Sequence, residues 1–342
     1  MVKGAIQKIV EGRNLCESEI TEVLNCIMEG NATQAQIGSF ITALRIKGET
    51  IEEITGCAKV MREKADKITL DKDYFIDIVG TGGDCSYSFN ISTAASFVAA
   101  AGGVTVAKHG NRSVSSKSGS ADVLESLGVN ISLEPVKVKE CIEKLDIGFM
   151  FAQTFHKSMK YAAGPRKELG IRTIFNILGP LTNPASAKGQ LLGVFSEKLT
   201  EPLAHVLSNL DVENAMVVYG LDGMDEISLS APTRVSELKN GKVTTYDLHP
   251  EDYGMRLVDK AEIVGGDSEK NADIILSIFN GEMGAKRDIV VLNAAAALYV
   301  GKATDSIKCG IKMAEEIIDS GKALNKLNEL RELTNSLCLA IS

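Results

Sequence analysis

Apolar residues recur at helical spacing through the first 68 residues. Ile20, Val23, Leu24, Ile27 and Met28 fall at i, i+3, i+4, i+7 and i+8, the buried stripe of an amphipathic helix that Ser18 is placed to cap. Thr33-Gln34-Ala35-Gln36 has the form of a capping box, and Ile37, Phe40, Ile41 and Leu44 share one face until Lys47-Gly48 stops the helix. Thr50 opens another helix, with Ile54, Ala58 and Met61 turned inward. No phosphate loop or metal constellation interrupts these helices, so their expected work is packing, a lid or a dimer surface.

From Tyr74 the period changes. The run Phe75 to Val79 reads as a strand, Gly80-Thr81-Gly82-Gly83-Asp84 as its loop, and Ala94 to Ala101 as a helix headed by Ser88-Phe89-Asn90-Ile91-Ser92-Thr93. Val104 to Ala107 predicts a second strand and Lys108 to Ser120 a second polar loop, with Ser120 capping a helix over Ala121 to Leu127. A helix Val136 to Leu145, strands 148–151, 190–195 and 215–219 and a helix 198–210 continue the alternation. Phe155 to Gly170 reads as a helix that Pro165 kinks, presenting Arg166 at the bend, with a short helical piece to Leu178 and a rigid connection Gly179 to Pro184. Ile227 to Leu248 alternates like antiparallel strands around Asn240-Gly241, and the remainder is helical. The predicted fold class is α/β: a small all-helical domain plus a larger domain whose mainly parallel central sheet is covered by helices.

A chain of 342 residues suits one small and one large domain, and 44% hydrophobic residues suffice for a sizeable core. A net charge of −8 argues against nucleic acid as a partner. No apolar run approaches a membrane span or a signal-peptide core, and the seven scattered cysteines contain no C-x-x-C pair. The expectation is a cytoplasmic protein with reduced thiols, bound to neither membrane nor nucleic acid.

Three glycines in four positions let backbone N–H groups approach an anion, and Ser92 and Thr93 stand at a helix start whose dipole favours phosphate. The second loop holds three cations and five serines. Neither is a dinucleotide fingerprint nor a Walker loop, so two anion-competent loops after consecutive strands suggest a multiply phosphorylated sugar. Asp222, Asp225 and Glu226 follow the strand at 215–219, where oxygen ligands suit a hard cation.

Together, Gly80-Thr81-Gly82-Gly83-Asp84, Asn90-Ile91-Ser92-Thr93, Lys108-His109-Gly110-Asn111-Arg112-Ser113, Gly179-Pro180-Leu181-Thr182-Asn183-Pro184 and Asp225-Glu226 give a chain that resembles the anthranilate phosphoribosyltransferases of tryptophan biosynthesis along its whole length. The resemblance implies a Mg²⁺-dependent pentosyltransferase that moves the 5-phosphoribosyl group of phosphoribosyl pyrophosphate onto anthranilate, using two ions per site. It implies that phosphoribosyl pyrophosphate meets Gly80, Gly83, Asp84, Ser88, Asn90, Ile91, Ser92, Thr93, Lys108, His109, Gly110, Asn111, Arg112, Ser113, Val114, Ser115, Ser116 and Ser120. Anthranilate falls to Gly80, Asn111 and Arg166, and metal to Ser92, Asp225 and Glu226. No residue is assigned as acid or base, His109 included; Lys108, Asn111 and Arg166 position the reactants. The resemblance also implies a helical domain over 1–68 completed by about 160–178, an α/β domain over 69–159 and 179–342, and a homodimer through the helical domain. The stretch Phe151-Ala152-Gln153-Thr154-Phe155-His156 departs from the family's Phe-Ala-Pro pattern at the rim of the acceptor pocket. Pyrimidine nucleoside phosphorylases have a similar glycine loop but no need of the Asp225-Glu226 pair, and a nucleic-acid-binding relative would need a basic groove.

Overall fold

The first helical stretch folds as α1 (Val2–Val10), α2 (Glu17–Met28), α3 (Gln34–Lys47) and α4 (Ile51–Lys64) in a computed structural model that describes residues 1–84, 86–113 and 117–339. Capping decides where these helices start. Thr33 and Thr50 close capping boxes with Gln36 and Glu53 as expected. Ser18 is not the cap of α2: Cys16 takes that place, because Glu19 folds back to accept the Cys16 N–H at 2.9 Å.

The rest of the chain runs β1 (Ile76–Gly80), α5 (Ile91–Ala101), β2 (Val106–Gly110), α6 (Ser120–Ser126), α7 (Pro135–Leu145), β3 (Ile147–Phe151), α8 (Ala152–Phe155), α9 (Lys160–Leu169) and α10 (Phe175–Leu181). It continues through β4 (Gly189–Gly193), α11 (Thr200–Asn209), β5 (Asn214–Gly220), β6 (Thr233–Lys239), β7 (Lys242–Leu248), α12 (Ser268–Phe279), α13 (Ala285–Val300), α14 (Ile307–Asp319) and α15 (Lys322–Leu339). Among the described residues the strands form one seven-stranded sheet in the order β3-β2-β1-β4-β5-β6-β7. The first five are parallel, and the hairpin β6–β7 extends the sheet antiparallel across Asn240-Gly241, both at positive φ. The chain leaves β1 for β2 on one side and later returns to β4 on the other, so the crevice between β1 and β4 is the topological switch point where ligands of open α/β sheets bind.

Alternate side chains feed two cores. Ile76, Ile78, Leu191, Met216, Val218 and Val235 pack in one apolar cluster with α5 and α13. Leu192, Val194, Ala215, Val217 and Leu238 join the other with α11, α1–α4, Ala162 of α9 and most of α10. The helical bundle therefore shares its core with one face of the sheet.

Four local expectations are corrected. Strand β2 begins and ends later than predicted, so Lys108, His109 and Gly110 lie in the strand rather than a loop, paired with Phe149, Met150 and Phe151 of β3. Ser120 is the first residue of α6, whose cap position is Gly119; the Gly119 N–H is accepted by Asp122 at 2.8 Å. Helix α9 runs on through Pro165, because packing of Ala162 and Pro165 beside α2 and α3 outweighs one lost hydrogen bond; the break lies upstream at His156. Gly179, Pro180 and Leu181 are helical and end α10, leaving only Thr182 to Pro184 as connection.

Arg62 of α4 straps these layers together. Its Nε donates to the Leu181 carbonyl (2.8 Å) and its Nη1 to the Leu210 carbonyl (3.1 Å), at the carboxyl ends of α10 and α11 where a cation is favoured. Arg62→Met strands both carbonyls and is expected to cost about 2–4 kcal/mol in urea unfolding; a loss below about 1 kcal/mol would show the strap to be dispensable.

Candidate active site

The loop Gly80–Asp84 leaves the carboxyl end of β1, and residues 221–226 leave β5 and fold back across β1 and β4. The approach is close enough to dictate sequence. A Cβ at Gly193 would lie 1.6 Å from the Asp225 carbonyl oxygen, and one at Gly80 would lie 2.5 Å from Asp225 Oδ2. Only bare backbone at both positions lets the acidic turn settle over the strand ends. Asp225 Oδ2 then accepts the Gly82 N–H at 2.7 Å, and Glu226 Oε1 accepts the Ser92 N–H at 3.1 Å in the first turn of α5. Thr81 ties the same loop to β4, donating its N–H to the Gly193 carbonyl (2.9 Å) and accepting from Phe195 N at Oγ1 (3.0 Å).

Burial sets the charge state of these groups. It pushes the Asp225 carboxyl above the ordinary range, and the charge of neighbouring Asp84 adds to the effect. Glu226 is pushed up to about 8 by burial and then by Asp225, against the pull of Lys108. Lys108 is itself held low by burial, opposed by Asp77 and Glu226, and its Nζ donates to the Ile78 carbonyl. Among the described residues no three His, Cys, Asp or Glu side chains converge as a complete cation cage. Two half-buried, mutually repelling carboxylates would nevertheless suit Mg²⁺, which takes one or two carboxylates and completes its shell with water and phosphate oxygens. A divalent cation bound there would offset the burial and the repulsion that hold both acids high.

The fold brings together Gly80, Gly83, Asp84, Ser92, Asp225 and Glu226: Asp84 Oδ2 lies 3.3 Å from the Asp225 N–H it accepts. Ser88 sits farther along the loop in a lone β-bridge to Val264, its hydroxyl 3.2 Å from that of Ser86. Asn90 joins the two loops, donating to the Ser118 carbonyl (3.2 Å) and accepting from the Ser118 hydroxyl and from Asn271 Nδ2 (3.0 Å). Ile91 and Thr93 are buried, at 1% exposure each. His109 is buried beneath the site. Gly110 and Asn111 stand at the mouth with Ser120, whose hydroxyl donates to the Asn111 carbonyl (3.3 Å). Ser113 donates its N–H to Asp122 at 3.0 Å. Arg112 is turned to α6, where it pairs with Asp122 and Glu125. Val114, Ser115 and Ser116 lie outside the described residues. Arg166 is half-buried over the Phe175 ring, 5.1 Å from its centroid, and forms no ion pair with a described residue.

Sequence reasoning missed the residues that hold this geometry. Asn293 in α13 accepts the Ile227 N–H (3.0 Å) and donates to the Ile227 carbonyl (2.9 Å), clamping the chain one residue past Glu226. Asp77 accepts the His109 N–H and one Asn183 amide proton, while Asn183 also donates to the Ala107 carbonyl. An amide inside the apolar run Leu292–Ala297 and an acid inside a buried strand were the available signals.

His109 and His156 sit with ring centroids 5.0 Å apart, and the Nε2 of each is buried without a partner among the described residues. Burial depresses both, His156 to about 4 against the pull of its Thr182 carbonyl bond. The folded ring is the weaker base, so the unfolded chain takes the proton first as pH falls through 6.5. His156→Asn keeps a donor for Thr182 and removes the titration. Wild-type unfolding free energy, measured relative to that variant, is expected to fall by about 2 kcal/mol between pH 6.5 and about 5; a difference independent of pH would contradict a buried neutral imidazole.

The chain matches the model of the glycosyl transferase family helical bundle domain over residues 3–65 and that of the glycosyl transferase family a/b domain over residues 72–324. It is 71% identical over 336 residues to an anthranilate phosphoribosyltransferase of Acetivibrio thermocellus, covering 98% of this chain and 97% of that one. Its fold resembles the crystal structure of anthranilate phosphoribosyltransferase from Thermus thermophilus, with a TM-score of 0.92, 42% identity and coverage of 97% and 99%. The Saccharomyces cerevisiae enzyme in complex with PRPP and Mg gives a TM-score of 0.90 at 28% identity, with 98% of each chain covered. This chain therefore belongs to the glycosyl transferase family built of a helical bundle and an a/b domain and, within it, to the anthranilate phosphoribosyltransferases.

Proposed function

We propose that the crevice between β1 and β4 transfers the 5-phosphoribosyl group of phosphoribosyl pyrophosphate to the amine of anthranilate and releases pyrophosphate. The observation that carries this reading is the half-buried Asp225–Glu226 pair, locked onto the N–H groups of the glycine loop and of α5. Asp225, Glu226 and the Ser92 hydroxyl would hold Mg²⁺, whose chemistry here is to neutralise charge on the departing pyrophosphate. Two ions per site accord with the charge that Asp84 adds beside Asp225 and Glu226, although the three carboxylates do not converge on one point.

The chain's own residues supply position and field. The glycine loop and the positive end of α5 offer backbone donors to phosphate. Lys108, between Asp77 and Glu226, favours the ionised form of Glu226. Arg166, half-buried and without a carboxylate of its own, is suited to the carboxylate of anthranilate, with Asn111 at the mouth beside it in role. The aromatic amine attacks while neutral and sheds its proton late, so no general base is assigned and orientation carries the rate.

The helical domain, in this reading, is residues 1–68 completed by about 160–178, supported by the packing of α9 on α2 and α3 and of α10 on α4. Exposed Val10 and Ile46, on the adjoining helices α1 and α3, support a homodimer through that body. No helix among the described residues is long and apolar enough to cross a membrane, which accords with a cytoplasmic enzyme.

Asp225→Asn and Glu226→Gln relieve the buried charge and are expected to fold, yet to lower Mg²⁺-dependent consumption of anthranilate by at least about 100-fold. Loss of anthranilate fluorescence reports the rate, and omission of metal should silence the wild type. Turnover unaffected by either substitution, or phosphorolysis of uridine in place of transfer, would overturn the assignment.

A further inference from the structure

Arg172 has no role in the scheme above. It lies between α9, which bears Arg166, and α10, in a segment without regular structure. Its guanidinium sits over the Phe195 ring, 4.5 Å from the centroid, and its Nη2 donates to the Gly83 carbonyl. Phe195 is itself fastened to the glycine loop through Thr81 Oγ1. Arg172 is exposed and forms no ion pair with a described residue, so a carboxylate does not explain where it points.

The bond falls where the loop is most permissive. Gly82 and Gly83 have φ of 66° and 74°, and peptides flanked by glycine reorient at little cost. The peptide group is planar and trans, so fixing the Gly83 carbonyl on one side turns the Asp84 N–H to the other. The guanidinium, stacked and donating at once, selects that orientation; a lysine ammonium has no planar fork with which to do both.

We propose that Arg172 is a positioning residue for phosphoribosyl pyrophosphate. By holding the Gly83 carbonyl it presets the glycine loop for phosphate and joins that loop to the segment carrying the acceptor residue Arg166. This inference rests on the transfer reaction proposed above, and wild-type turnover tests that reaction separately. Arg172→Lys and Arg172→Met, both at an exposed position, should fold with melting temperatures within a few degrees of wild type. Calorimetric affinity for Mg²⁺-phosphoribosyl pyrophosphate is expected to fall about tenfold in both variants, with its KM rising in step and the KM for anthranilate changing less than about threefold. Three results would overturn the role: wild-type affinity in Arg172→Met, wild-type affinity in Arg172→Lys alone, which would leave charge as the whole effect, or a loss confined to anthranilate. Because the affinity is read without turnover, it decides the role of Arg172 even if the wild type fails to transfer.

Discussion

The close approach of the acidic turn to bare backbone at the ends of β1 and β4 is the constraint on which the site depends. Asp225 rests where side chains of residues 80 and 193 would otherwise be, and only glycine leaves that space. Once there, its carboxylate orders the glycine loop through Gly82, while Glu226 orders the first turn of α5 through Ser92. Asn293 closes the arrangement from below by taking both backbone groups of Ile227. The switch-point topology places a crevice there; these contacts give it acids, donors and a fixed floor.

Electrostatics turns that floor into a site that wants a partner. Burial and the charge of Asp225 hold Glu226 well above the ordinary carboxylate range, against the pull of Lys108. One buried lysine, itself weakened by burial, faces Asp77 and Glu226, so internal compensation falls short. Ionising these acids in the free protein is unfavourable, and a ligand that brings positive charge, such as a metal–phosphate complex, would offset that cost. The surroundings of Arg166, proposed above for the acceptor, are built differently. There a half-buried arginine lies over the Phe175 ring and forms no ion pair with a described residue.

Much of this was legible in the sequence, and the failures have physical causes. Helix stripes, Thr capping boxes, the Asn240-Gly241 hairpin and the strand–loop–helix at Gly80 depend on neighbours close in sequence, and all are present. Lys108 and His109 read as loop because charged and polar residues ordinarily avoid strand interiors; distant Asp77, Asn183 and Glu226 make their burial possible. The ion pairs of Arg112 with Asp122 and Glu125 on the next helix had no local sign in the sequence. The bonds of Asn90 to Ser118 and Asn271 join segments far apart in the chain and were equally out of reach. The glycine at 193 carries no local signal at all, since its reason is Asp225, brought against it from a later strand.

The most direct test is the Mg²⁺-dependent transfer rate of Gly193→Ala, followed by anthranilate fluorescence, with far-UV circular dichroism as the check on folding. One added methyl must push the Asp225 backbone off β4, so the rate should fall at least about 100-fold while the spectrum is kept. A Gly193→Ala enzyme with wild-type turnover would show that the acids do not owe their place to that contact.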